Sequence, residues 1–171
     1  DLQHLKIRKD LHPNVSNGKY TLNLACYNLT KDEKKMLCKF LHGVRMPDGY
    51  ASNLKRCVDL EGCKVSALET HDFHVLFQKL LPIWVRNILP KKFVVPFLEL
   101  SLFFAAIYSK ELNPEELAKL SRTIPETLCR LEMILTPQFF DIMMHLPIHL
   151  AEEARLGGPV AYRCMYPVER Y

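Results

Sequence analysis

The positions of the prolines are the feature of the sequence that most constrains the fold. From residue 70 onwards, apolar residues recur with helical spacing in segments that prolines bound. These prolines are Pro82, Pro90, Pro96, Pro114, Pro125, Pro137 and Pro147. Because proline lacks an N–H group and fits the first turn of a helix better than its interior, each one marks a helix start, end or kink. The sequence predicts a mainly α fold, an irregular helical bundle or insertion-type domain.

Local signals predict where two of the helices begin. Thr30 followed by Glu33 is a capping-box pattern before a short helix that stops near Gly43. Asn113 followed by Pro114 and two glutamates combines a capping residue, a first-turn proline and acids at the positive end of the helix dipole. Residues 19–29 are the one stretch that could be extended. We therefore expect at most a short strand or hairpin near the N-terminus.

The length of 171 residues fits one globular domain. We expect a single helical domain over 1–171, with a helix and a long loop in 1–62 and a helical core in 63–171 that ends at a possible catalytic helix. The segment 43–62 contains Pro-Asp-Gly and scattered polar residues, which are typical of a loop. The sequence begins and ends within patterned segments, so we expect it to be a fragment of a longer chain.

Composition excludes some classes of protein. With 49% hydrophobic and 25% charged residues, the chain resembles an ordinary soluble, core-forming protein. The sequence contains no run of about 18 apolar residues, so it predicts no membrane span. The six cysteines are interpreted as reduced thiols, and because none are spaced as C-x-x-C, the chain cannot supply a complete zinc site of the usual kind. No phosphate-binding loop or nucleophile elbow is present. The chain alone is a poor candidate for a self-contained enzyme.

Short basic clusters interrupt the sequence, which has a formal net charge of +4. Lys55 and Arg56 form one pair, and Lys91 and Lys92 form another. Such clusters are usually solvated surfaces, but they are also the residues that contact phosphates in DNA. We keep both interpretations, with these four residues as the candidate DNA contacts.

Two groups of histidines are candidate metal ligands. His145 and His149 have the H-x-x-x-H spacing that puts two imidazoles on one helix face, as in half of a zinc site, and Glu153 extends that face. The alternative is a surface or capping pair, and Pro147 lies between the two. His71, Asp72 and His74 also fall within one helical turn, either as metal ligands or with Asp72 as a cap and the histidines bonded locally.

Longer strings carry a resemblance to a known family. These are "HD-x-H" at 71–74, "TP-x-FFD" ending at Asp141, "HL-x-x-H-L-x-x-E" at 145–153, "LGGPV" at 156–160 and "MYP-x-ER" at 165–170. Together they resemble the domain of unknown function, DUF4218-type, that follows the tnp2-type domain in plant CACTA (En/Spm) transposases. The resemblance spans nearly the whole chain.

The resemblance implies the C-terminal helical part of a DDE-type transposase that acts on transposon ends in the nucleus. In such enzymes three carboxylates hold two Mg²⁺ ions for DNA cleavage and strand transfer. It implies that Glu169 is the third carboxylate, with Glu153 as the runner-up, and that the other two lie upstream. It also implies that His145 and His149 complete a zinc site with upstream cysteines. The implied partners are DNA and the upstream transposase domain, no membrane is expected, and an oligomer is left open.

One departure from the family pattern leaves the activity of this chain open. The family places Arg-Trp before "MYP", whereas Arg163 is followed here by Cys164. Loss of a large aromatic side chain would leave a packing deficit. The alternative to a transposase part is a non-catalytic, transposon-derived helical module that binds DNA or protein.

Overall fold

The computed structural model describes residues 3–6, 8–16, 18–46, 54–136, 139–140 and 142–163. Their fold is mainly α, as predicted. The helices are α1 (Lys31–Gly43), α2 (Thr70–Val75), α3 (Leu81–Val85), α4 (Lys91–Ile107), α5 (Pro114–Glu132), α6 (Ile142–His145) and α7 (Pro147–Gly157). Short 3-10 helices span Lys9–Leu11, Leu54–Cys57 and Val160–Tyr162.

Two short antiparallel hairpins accompany the helices. The first joins β1 (Asn14–Ser16) to β2 (Lys19–Thr21) and overlaps the stretch predicted to be extended. The second joins β3 (Val58–Asp59) to β4 (Lys64–Val65). Asp59 Oδ1 accepts hydrogen bonds of 3.0 Å from the N–H groups of Glu61 and Gly62, which stabilises the turn. Within the segment 43–62, predicted to be a loop or an irregular link, residues 54–59 form a short 3-10 helix and a two-residue strand. The central part, 47–53, lies outside the described residues.

Both predicted helix starts are confirmed. Thr30 and Glu33 form a reciprocal capping box, in which Glu33 N donates to Thr30 Oγ1 and Thr30 N donates to Glu33 Oε2. These hydrogen bonds from Thr30 lower the pKa of the exposed Glu33 carboxyl. At α5, Asn113 Oδ1 accepts from Glu115 N at 2.9 Å, and Pro114 is the first helical residue. Pro125 lies inside α5 and Pro96 lies inside α4, so neither proline is a helix start or end.

Helices α2 and α3 are joined by a π-helical turn, Leu76–Leu80. Leu81 N donates to Leu76 O, five residues back, instead of to Phe77 O, four residues back. Pro82 follows directly as the second residue of α3. The predicted boundary at Pro82 therefore appears as a change of helical register, and the segment continues to Val85.

The main core lies between α4, α5 and α7, which contact one another. Its buried side chains are Leu100, Phe103, Ile107, Leu117, Ile124, Leu128, Leu131, Leu135, Ala151 and Ala154. Two smaller apolar clusters, around Leu41 and Leu80 and around Trp84 and Val94, join α1 and α3 to the rest. Arg8 ties the N-terminal segment to the residues just after α5, because its guanidinium donates to the carbonyls of Ile134 and Leu135. This packing holds α7 on the core. His145 ends α6 and His149 lies in the first turn of α7.

Candidate metal-binding histidine pair and basic surfaces

His145 and His149 lie close together on either side of a helix break. His145 ends α6, and Pro147 begins α7, so the interruption predicted at Pro147 is confirmed. The two rings nevertheless face each other, with Nε2 atoms 3.1 Å apart, ring centroids 5.0 Å apart and planes at 67°. Both side chains are exposed. Despite the break between α6 and α7, the two imidazoles lie close enough to bind one metal ion.

The separation of the two nitrogens fits a shared zinc ion. Zinc binds imidazole nitrogen at about 2.0–2.1 Å in tetrahedral sites, so two such ligands lie roughly 3.3 Å apart. The 3.1 Å between His145 Nε2 and His149 Nε2 is close to that value, and it is also the length of a hydrogen bond between two neutral imidazoles. Among the described residues, no group of three or more His, Cys, Asp or Glu side chains could hold a metal ion. The part of the chain that the structure describes thus offers two of the four ligands that a structural zinc site requires.

The two candidate catalytic acids are placed differently. Glu153 is exposed on α7, one turn beyond His149. Its neighbour Glu152 is bound to Arg155, with Arg155 Nε 2.9 Å from Glu152 Oε2, and this hydrogen bond lowers the pKa of the Glu152 carboxyl. Glu169 lies outside the described residues. The assignment of a catalytic carboxylate stays a prediction.

His71, Asp72 and His74 all lie in α2. The interpretation of Asp72 as the helix cap is wrong, because Glu69 occupies the capping position and Asp72 is buried in the first turn, with 1% of its surface exposed. The His74 ring lies 4.5 Å from that of Tyr108, and its Nδ1 is 3.2 Å from Gln78 Nε2. Burial, and then the neighbouring His71, lower the pKa of His74. These contacts hold His74 in a half-buried position.

The four candidate DNA contacts lie on two separate elements. Lys55 and Arg56 are exposed on the 3-10 helix Leu54–Cys57. Lys91 and Lys92 are exposed in the first turn of α4, where the capping residue, Pro90, offers no side-chain hydrogen bond. Cations at this end oppose the helix dipole, whereas an anion there would be stabilised. The two lysines and the N-terminal end of the α4 dipole therefore both favour an anion at the start of this helix.

The described cysteines are free thiols. They are Cys26, Cys38, Cys57, Cys63 and Cys129. Burial is the main cause that raises the pKa of the Cys38 thiol, which keeps it protonated at neutral pH.

A polar cluster between α4 and α5 was not predicted from the sequence. Arg130 Nη2 lies 2.9 Å from Glu99 Oε2 and Arg130 Nη1 lies 3.1 Å from Glu99 Oε1, which is a bidentate pair. Thr127 Oγ1 donates to Glu99 Oε2 at 2.7 Å. The one signal in the sequence was an acid, Glu99, within the apolar stretch 93–108.

Comparison with known families finds a similarity in the C-terminal part of the chain. Residues 107–171 match the family described as Domain of unknown function (DUF4218). The match covers 65 of the 171 residues, including α5, α6, α7 and the histidine pair. No curated protein and no solved structure matches the chain. Within the described ranges, none of the helices is long and apolar enough to cross a membrane.

Proposed function

We propose that this chain is the C-terminal helical part of a DDE-type CACTA transposon transposase, where it supports DNA binding, cleavage and strand transfer in the nucleus. The observation that carries the proposal is the His145–His149 pair, whose Nε2 atoms are 3.1 Å apart within the region that matches DUF4218. A pair of ligands on the surface needs a second pair from elsewhere. An upstream domain of the same protein that supplies two cysteines fits this requirement.

The histidine pair would act as an anchor in this proposal. A zinc ion shared with upstream cysteines would cross-link α6 and α7 to the preceding domain and fix their orientation. Because α7 packs on α5 through the main core, the anchor would also position the rest of the helical unit. His145 and His149 would therefore have a structural role. The zinc ion that they hold would orient the residues after α7 towards the catalytic centre.

Catalysis would be shared with the upstream domain. Two Mg²⁺ ions held by three carboxylates supply the activation of the attacking oxygen and the stabilisation of the leaving oxygen. This chain would contribute the third carboxylate, Glu169, and Glu153 is the alternative. In the longer parent protein, Glu169→Gln should abolish Mg²⁺-dependent strand cleavage while Glu153→Gln should not. The reverse result would exchange the two assignments.

The basic pairs would contact the phosphates of the transposon ends. Arg56, Lys91 and Lys92 form no ion pair with any other residue that the structure describes. Replacing Lys91 and Lys92 with alanine should reduce the slope of log affinity against log salt concentration by about 2 for duplex DNA. An unchanged slope would remove the start of α4 from the DNA-binding surface.

The zinc proposal is tested by metal titration of the longer parent protein, because the chain alone offers two of the four ligands. We expect Co²⁺, used as a spectroscopic substitute for Zn²⁺, to bind with an absorption spectrum typical of mixed imidazole and thiolate ligands. Both His145→Ala and His149→Ala should remove this binding. The matched controls are His71→Ala and His74→Ala, which alter a histidine pair three residues apart and should leave the titration unchanged. Equal binding by all four variants would reject the ligand assignment.

The second candidate function is a non-catalytic module, derived from a transposon, that binds DNA or protein. It is favoured by Cys164, which follows Arg163 where the family pattern places a tryptophan. The parent protein distinguishes the two: DNA binding without Mg²⁺-dependent cleavage, unaffected by Glu169→Gln, would support the module.

A further inference from the structure

The β1–β2 hairpin lies outside the core. Every residue that the structure describes in 14–24 is exposed, and we call this segment the hairpin arm. The chain is anchored on both sides of it: Arg8 donates to two backbone carbonyls just after α5, and the Tyr27 ring lies 6.2 Å from the Phe93 ring on α4. A two-stranded hairpin without further packing is only marginally stable in water. An additional strand would therefore stabilise the hairpin arm.

The outer edge of β2 is open. Among the described residues, β2 forms a ladder with β1 alone. Because only two residues separate Ser16 from Lys19, this pair exchanges both backbone hydrogen bonds, and the ladder then turns the N–H and C=O groups of Tyr20 outwards. The same alternation directs the groups of Leu22 outwards. The opposite edge, on β1, is interrupted by Pro13, which has no N–H group. The edge of β2 is therefore the better template for another strand.

One face of the hairpin arm is apolar, because apolar residues occupy alternate positions that point to the same side. They are Val15, Tyr20, Leu22 and Leu24, and each is 64–76% exposed. The other face is polar. A hydrogen bond of 2.8 Å between two of its side chains, Asn14 and Asn23, continues the alternation past the end of β2. The edge of β2 thus offers outward backbone groups together with an apolar and a polar face.

This edge is complementary to itself. Two antiparallel copies related by a twofold axis at Thr21 place Tyr20 opposite Leu22 of the second copy, and Lys19 opposite Asn23 of the second copy. Apolar residues then lie beside apolar residues and polar residues beside polar ones, which stabilises a sheet. The two Lys19 residues are four positions apart along the strands, or about 14 Å, which exceeds the Debye length of about 8 Å at physiological salt. Pairing therefore brings no like charges together.

We propose that two copies of this chain join through the outer edges of β2 and form a four-stranded antiparallel sheet with its twofold axis at Thr21. Tyr20 and Leu22 of each copy exchange backbone hydrogen bonds with Leu22 and Tyr20 of the other. Nucleic acid fits less well, because Lys19 is the one charged residue of the hairpin arm. A strand of another protein would need the same pattern of side chains, which a second copy already has. The dimer is independent of the zinc site and of the proposed role in transposition.

The experiment measures the oligomeric state of the whole chain. Pairing of two edge strands is small beside the roughly 1,200–2,000 Å² buried in a stable complex, so the dimer should be weak. Sedimentation equilibrium from about 5 μM to about 1 mM should show a monomer–dimer equilibrium. Hydrogen exchange of the Tyr20 and Leu22 amides should slow as the dimer forms, whereas that of Thr21, which already bonds to β1, should change little.

Proline variants test which edge pairs. Leu22→Pro removes an outward N–H group from the edge of β2 and should weaken dimerisation at least about ten-fold. Val15→Pro is the matched control, because it removes an outward N–H group from the edge of β1, and it should leave the dimer unchanged. Neither N–H group bonds across the β1–β2 ladder, so both variants keep the hairpin.

Charge variants test the register. Tyr20→Lys and Leu22→Glu should each weaken self-association about ten-fold, because each puts a charge beside an apolar residue of the second copy. A mixture of the two variants should form a heterodimer with an affinity within about three-fold of the native dimer, since the new charges then lie opposite each other. The control mixture is Tyr20→Lys with Leu24→Glu, which should not recover, because Leu24 lies opposite Gly18 in this register.

Several results would overturn the proposal. They are a monomer at every concentration up to about 1 mM, a dimer that Leu22→Pro does not weaken, and a dimer that Val15→Pro removes. Recovery by Leu24→Glu in place of Leu22→Glu would reject the axis at Thr21. A monomer whose Tyr20 and Leu22 amide signals shift on addition of duplex DNA would assign the hairpin arm to nucleic acid, and the same shifts with an unrelated strand-forming peptide would assign it to other proteins.

Discussion

The Ser101 hydroxyl donates a hydrogen bond of 2.9 Å to the backbone carbonyl of Phe77. Two features of the π-helical turn leave that carbonyl without a backbone donor. Leu81 N, its donor in an α-helix, bonds to Leu76 O, and residue 82, its donor in a π-helix, is a proline. Ser101, only 1% exposed, supplies the missing donor from α4. This bond joins the α2–α3 segment to the central helix.

We predict that Ser101→Ala lowers the free energy of unfolding by about 1–3 kcal/mol, since a buried carbonyl would lose its partner. Chemical denaturation followed by circular dichroism measures this change. Ser121→Ala on α5 is the matched control and should have little effect, because Ser121 is partly exposed and alanine is the better helix former. Equal effects of the two substitutions would contradict the prediction.

A double-mutant cycle with Pro82→Ala tests the cause. Alanine at position 82 provides an N–H group that can reach Phe77 O in the π register. We therefore expect Ser101→Ala to cost less in the Pro82→Ala background, with a coupling of about 0.5–1.5 kcal/mol. Strict additivity would show that Ser101 stabilises the fold by packing alone.

The contact between Thr127 and Glu99 makes a second prediction. Thr127 is buried, and its hydroxyl bonds to Glu99 Oε2, which also binds Arg130. Thr127→Val keeps the shape and removes the hydroxyl, and should reduce stability by about 1–2 kcal/mol. The Glu99–Arg130 pair is about one-third exposed, so Arg130→Met should cost less, roughly 0.5 kcal/mol. Thermal denaturation compares the two, and a larger loss with Arg130→Met would contradict this order.

The capping box at the start of α1 makes a third prediction. Thr30→Ala removes the acceptor for Glu33 N and should destabilise the protein by about 1 kcal/mol, whereas Thr30→Asp should restore most of the loss. The control is Thr123→Ala, at an exposed position in the middle of α5, and it should leave the stability nearly unchanged. Thermal melting curves measure all three, and no difference between Thr30→Ala and Thr123→Ala would reject a stabilising cap.

The features that could be predicted from the sequence depend on residues near one another along the chain. Thr30 with Glu33 and Asn113 with Pro114 place helix starts because caps act over three or four residues. The bonds between Ser101 and Phe77 and between Arg130 and Glu99 join residues 24 and 31 apart, and no local pattern specifies them. The spacing of His145 and His149 suggested one helix face. Their 3.1 Å approach depends on how α7 restarts at Pro147, which the spacing does not determine.

We predict that the half-buried His74 makes the stability of the chain depend on pH. Burial and the nearby His71 lower the pKa of His74 below its ordinary value of 6.5. The unfolded chain therefore binds a proton at this side chain more readily than the folded chain does. The resulting contribution to stability is complete above pH 6.5 and is lost as the pH falls through the lowered value. We expect the free energy of unfolding to decrease between about pH 7 and pH 5.

His74→Gln, which cannot be protonated, should show a smaller decrease than the native chain, while His4→Gln at an exposed position should match it. Urea denaturation at both pH values makes the comparison, and an identical decrease in His74→Gln would show that other groups cause the pH dependence.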